Sequence, residues 1–125
     1  MNIPPDLRYN PSHEWLRLED GIATVGISDH AQHELTDVVF VELPAIGRML
    51  DAGDPAAVVE SVKAANDIYA PAGGEIVEVN PEVEADPSLV NTDPYGKGWI
   101  FKLRIKTPAE VTALMDATAY QAHIS

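Results

Sequence analysis

The chain has 125 residues, a formal net charge of −12 at pH 7 and no cysteine. A single domain of this length buries about two-thirds of the surface its unfolded chain exposes. The charge argues against nucleic acid and anionic membrane as partners, because both repel it, and the missing cysteine excludes a disulfide framework, a thiolate zinc site and a cysteine nucleophile.

Hydrophobic residues make up 46% of the chain and aromatics only 6%, so Val, Ile, Leu and Ala must build most of the core. No apolar run is long enough to span a bilayer. Met1-Asn2-Ile3-Pro4-Pro5 has neither a signal-peptide apolar segment nor an Arg/Ser-rich amphipathic transit pattern, which points to a cytoplasmic protein.

Residues 1–11 contain three prolines and predict an extended lead-in. Glu14 to Leu18 reads as a strand, Glu19-Asp20-Gly21 as a turn and Ile22 to Ile27 as the returning strand. Ser28 caps a short helix through Leu35. His30 and His33 are three apart on that helix, but no third ligand stands near them, so a solvated face is expected and no metal. Val38 to Leu43 is a strongly apolar strand ended by Pro44 and is expected to be central in the core, and residues 47–54 read as a short strand and tight turn.

Residues 58–71 form two short strands meeting at Lys63. Val58, Val59 and Val62 precede it; Ile68 and Tyr69 follow; Pro71 closes the unit. Residues 74–80 then alternate with period two, and residues 46–60 and 76–90 suggest a weak internal repeat about the Lys63 turn. Residues 81–91 are acidic and read as a loop with a turn or two of helix. Trp99 to Lys106 is the last strand, with Trp99, Phe101, Leu103 and Ile105 on one face. Residues 107–125 form a C-terminal helical extension. Thr107, Pro108 and Glu110 read as a capping box, Val111, Leu114 and Met115 as a buried stripe, and Asp116 as the cap of a second helix that packs Tyr120 on the body. The fold class is mainly β with short peripheral helices and a C-terminal helix, in one domain over residues 1–125.

Lys63 is the only basic residue between Arg48 and Lys97, and Ser61, Ala64 and Ala65 beside it are small. From the residues alone it reads either as a solvated charge blunting a hairpin tip or as an unhindered amine for covalent attachment. It is a poor catalytic base, because nothing nearby buries it or adds a second cation to lower its pKa.

Glu60-Ser61-Val62-Lys63-Ala64 with Asp67-Ile68-Tyr69-Ala70-Pro71 resembles the lipoyl-lysine hairpin of glycine cleavage system H proteins. The likeness runs on through His13-Glu14-Trp15, residues 25–32, residues 38–44, residues 74–80, and Leu89-Val90-Asn91 to Trp99, all in family order. Thr36 stands where the family frequently has glycine, and Asn66 where serine is common.

The resemblance implies a barrel-sandwich hybrid, like lipoyl and biotinyl domains, with lipoate amide-linked to Lys63. It implies a carrier and not an enzyme. The aminomethyl group of glycine would pass among a pyridoxal-phosphate glycine decarboxylase, a tetrahydrofolate-dependent aminomethyltransferase and a dihydrolipoamide dehydrogenase. It further implies a resting cleft for the arm, with Ser12, Glu14 and Asp67 as its polar lining, and a lipoate-attaching enzyme that reads Glu60, Val62 and Ala64. The expected state is a monomer. An H-like lipoyl carrier in lipoyl relay or sulfur oxidation shares the hairpin and is the alternative. An unmodified acidic interaction module is the reading from a different class. The Met-Lys-Met context of biotin carriers is absent.

Overall fold

The computed structural model describes all 125 residues. In chain order the elements are β1 (Arg8–Tyr9), β2 (Glu14–Glu19), β3 (Ile22–Ile27), α1 (Asp29–Leu35), β4 (Val38–Glu42), β5 (Met49–Leu50), β6 (Pro55–Ser61), β7 (Ala65–Tyr69) and β8 (Gly74–Val79). They continue with α2 (Pro81–Ala85), α3 (Leu89–Thr92), β9 (Phe101–Ile105), α4 (Pro108–Thr112) and α5 (Ala117–Ile124). No helix is long and apolar enough to cross a membrane.

Two antiparallel sheets carry the fold. One has six strands in the order β1-β2-β3-β9-β8-β5, the other three in the order β4-β6-β7. The β2–β3 hairpin closes at Asp20-Gly21, with φ of +50° and +78°, the left-handed pair that a two-residue turn matched to strand twist demands. Between the sheets lies a cluster of 21 buried hydrophobic residues, among them Val25, Val41, Val59, Ile68, Ile76, Phe101 and Leu103. The architecture is a barrel-sandwich hybrid built, as composition required, mostly from aliphatic side chains.

Ser28 caps α1 by accepting the Ala31 amide, and Asp116 caps α5 by accepting that of Ala119. Four expectations change. The lead-in contains β1, paired with β2 and bridged to Met115, and it buries Leu7 and Tyr9. Those partners are distant in sequence, so no local pattern announces the pairing.

The last strand begins at Phe101, because the Trp99 amide turns back to the Gly96 carbonyl at 3.2 Å. Trp99 is partly exposed, with the Lys102 amine 5.0 Å from its ring centre. Thr107 occupies the cap position of α4 but makes no side-chain cap bond, and Glu110 accepts the Gly73 amide at 3.0 Å in place of the reciprocal bond to Thr107. The internal repeat is absent: β5 and β6 belong to different sheets, while residues 76–90 run from β8 into helices.

Candidate functional site

The hairpin of β6 and β7 holds Lys63 at its tip, in unbroken register from Ala57 opposite Ile68 to the last pair, Glu60 opposite Ala65. Ser61 organises the turn. Its amide donates to the Ala64 carbonyl at 2.8 Å, and its hydroxyl oxygen accepts the amides of Lys63 and Ala64, each at 3.1 Å. The Val62 amide donates to the Asp37 carbonyl at 3.0 Å, which ties the tip to the start of β4. The backbone under Lys63 is therefore fixed while its side chain is exposed. Glu60, Val62 and Ala64 are exposed around it.

The Lys63 side chain leans over the mouth of a cleft of about 310 Å³ between the hairpin and α1, and its Nζ donates to the Glu34 carbonyl at 3.2 Å. Ile27, Ala31, Leu35 and Ile68 make the apolar wall; Ser12, His13, Glu34, Asn66 and Asp67 are polar. Glu34 lies in the last turn of α1, where carbonyls lack intrahelical partners, so that oxygen is free to accept.

The cleft brings together two of the three lining residues expected, Ser12 and Asp67. Glu14 is a correction. It is 1% exposed and stands behind the wall, because the first three residues of β2 all turn into the body. Its carboxylate accepts from the Ser12 hydroxyl, from Asn10 Nδ2 at 2.8 Å and from the Tyr69 amide at 3.2 Å. Burial raises its pKa above the ordinary 4.5, against the opposing pull of the hydrogen bonds from Ser12, Asn10 and Tyr69. Glu14 thus supports Ser12 and does not face the cavity.

Sequence reasoning missed His13, Glu34 and Asn66. His13 has a φ of +81°, which no local pattern foretells. Its Nδ1 lies 2.8 Å from the Tyr120 hydroxyl, which is 2.7 Å from Ser28 Oγ, so the C-terminal helix braces both the cleft wall and the cap of α1. Burial is the largest cause lowering the His13 pKa, followed by His30 and His123, whose rings lie 4.8 and 5.9 Å away. His30 turns toward His13 and toward Glu34, 3.7 Å away, while His33 is exposed. A single signal existed for His13, its place between Ser12 and Glu14.

A barrel-sandwich hybrid with one lysine on a rigid tip beside a half-apolar cleft defines a carrier domain of the swinging-arm class. Known proteins make the assignment specific. The family model described as "Glycine cleavage H-protein" matches residues 7–125. The glycine cleavage system H protein of Laribacter hongkongensis is 56% identical, over 98% of each chain. Glycine cleavage system H protein 2 of Pseudomonas putida is 61% identical, over 98% of this chain and 97% of its own. The crystal structure of the H protein from Mycobacterium marinum superposes with a TM-score of 0.91 at 39% identity, covering 98% of both chains. The chain belongs to the glycine cleavage H-protein family, whose members are the lipoyl carriers of the glycine cleavage system.

Proposed function

We propose that Lys63 is the lipoyl attachment point of this carrier, and that the cleft beside it shelters the loaded arm. The observation that carries the reading is the position of the Lys63 amine, on a fixed tip and hydrogen-bonded to α1 at the cleft mouth. The residues present fit the group. An acylated Nζ keeps one N–H, which can still donate to the Glu34 carbonyl. The wall of Ile27, Ala31, Leu35 and Ile68 suits a hydrocarbon arm, and Asp67 offers a carboxylate to a terminal ammonium.

Bound lipoate supplies the redox-active sulfurs that take and release the aminomethyl group, and this chain has none of its own. What the protein contributes is tethering and shelter. A covalent tether raises the local concentration of the carried group at each docked enzyme, and the apolar wall excludes water from it. The chain serves as a carrier and not as an enzyme, works in the cytoplasm as a monomer, and meets the decarboxylase, the aminomethyltransferase, the dihydrolipoamide dehydrogenase and a lipoate-attaching enzyme.

The test is intact mass and peptide mapping after expression with lipoate and a lipoate ligase, beside Lys63→Arg. One lipoyl group on Lys63, absent in the variant, is expected. An unmodified chain under conditions that lipoylate another carrier would overturn the reading.

A further inference from the structure

Strand β4 is an edge of the three-stranded sheet and not its centre, because only β6 pairs with it. Strict alternation would bury every second residue, yet Val39 and Phe40 are both exposed, 54% and 46%. The cause is a bulge: the register against β6 slips between Val38, opposite Ser61, and Phe40, opposite Glu60. An extra residue there aims two successive apolar side chains outward on the strand that abuts the Lys63 tip. Val62, 69% exposed, lies at that tip, and its amide is bonded to the Asp37 carbonyl just before β4. A bulge and a turn thus converge to present three apolar side chains beside the one lysine of the hairpin.

The charges around this patch are unbalanced. The molecule's lysine and arginine ion pairs are Lys102–Glu78, Arg104–Glu75 and Lys106–Asp51, and the His30 ring stands 3.7 Å from Glu34. Asp37 and Glu60, exposed beside Val62 and Phe40, enter none of them. An apolar patch with uncompensated acids at its margin complements an apolar recess rimmed by lysine or arginine.

We propose that Val39, Phe40 and Val62, with Asp37 and Glu60 as the acidic margin, form the docking surface for the enzyme that acylates Lys63. Reach selects this occupant. Every other partner acts at the far end of the arm, whereas the acylating enzyme must bring its acyl donor to Nζ itself and so must sit on the tip. The proposal rests on Lys63 being the attachment point, and it adds β4 to the hairpin residues expected to be read.

The reaction served is acyl transfer from a lipoyl-adenylate. The Lys63 ammonium leaves the Glu34 carbonyl and gives up a proton, and its lone pair attacks the acyl carbon. The C–N bond forms, the C–O bond to the nucleotide breaks, the nucleotide leaves with that electron pair, and a second proton goes to solvent.

The experiment measures lipoylation kinetics of the full-length apoprotein with a lipoate–protein ligase, reading product by intact mass. Val39→Ser/Phe40→Ser and, separately, Val62→Ser are compared with wild type and with Leu18→Ser, an exposed apolar residue on β2 of the other sheet. Urea midpoints confirm that each variant is folded. The patch variants should raise KM for the apoprotein about tenfold or more, with kcat changed less than about twofold, as for loss of an interface anchor. Asp37→Asn/Glu60→Gln should lower kcat/KM and flatten its dependence on salt. Patch variants with the KM of wild type, or a Leu18→Ser effect equal to theirs, would overturn the docking surface. A wild-type chain that accepts no lipoate fails at the earlier reading, before this one is tested.

Discussion

Glu14 accepts the backbone amide of Tyr69 across 55 residues of sequence, Oε2 to N at 3.2 Å, and so ties the start of β2 to the end of β7. Oε1 holds Ser12 and Asn10, so one buried carboxylate organises the rear of the cleft.

That carboxylate predicts a pH dependence. Its folded pKa is raised above 4.5, chiefly by burial, so the folded chain holds the proton more tightly than the unfolded chain. Its contribution to stability is complete below the unfolded value and is lost as pH rises through the folded one. The stability of wild type relative to Glu14→Gln should fall across that window in urea titrations. A carboxyl-carbon NMR titration of Glu14 that reads 4.5 or lower would sink the prediction.

Thr36 ends α1 with φ +64° and ψ −147°, backbone space that only glycine occupies without strain. Thr36→Gly relieves that strain but adds freedom to the unfolded chain, and the net expectation is a gain of about 1 kcal/mol. Chemical denaturation checks it, and a loss of stability would mean that the hydroxyl, bonded to the Leu35 carbonyl, outweighs the strain.

Gly74 admits no side chain. A Cβ there would stand 2.2 Å from the Arg104 carbonyl oxygen, a backbone atom of the paired strand that cannot step aside. Gly74→Ala should cost about 2–3 kcal/mol, seen as a lower urea midpoint at unchanged slope. An unshifted midpoint would show that β8 and β9 separate cheaply.

Tyr120→Phe removes the hydroxyl shared by His13 and Ser28 and leaves both short of a partner, at a cost of about 1–3 kcal/mol. The His13 pKa is depressed, so stability falls as pH drops below 6.5 toward the folded value. Glu14 works in the opposite direction at its own, carboxylate end. The imidazole chemical shift of His13 should titrate below 6.5 in wild type, and a midpoint above 6.5 would contradict a pKa lowered by the ring's partial burial.

The strands of this fold were legible because period two runs through residues 74–80 and 101–105, because residues 22–27 and 38–43 are rich in apolar and β-branched side chains, and because turn residues punctuate them. Lys63 was legible for a local reason as well: its hairpin is a contiguous stretch with a single base among acids, and its backbone bonds stay within residues 61–64 and Asp37. The α5 cap was readable too, since Asp116 reaches a residue only three positions on. Glu110 shows the limit. Spacing assigned it to its own helix, but the Gly73 amide, 37 residues away, took the carboxylate.

The cleft lies beyond that limit. Whether Glu14 faces the cavity or backs it, whether His13 meets Tyr120, and whether the Glu34 carbonyl meets Lys63 depend on contacts 29 to 107 residues apart. Residues 38–43 read as a core strand because the run is almost wholly apolar; one slipped residue in the pairing with β6 turned Val39 and Phe40 out. The sequence by itself determined the strands other than β1, the helix caps at Ser28 and Asp116, and the lysine, because each is written in residues that are neighbours along the chain. Only the tertiary structure decided the walls of the cleft and the exposed face of β4, because hydrogen-bond partners and strand register are settled between segments that meet only when the chain is folded.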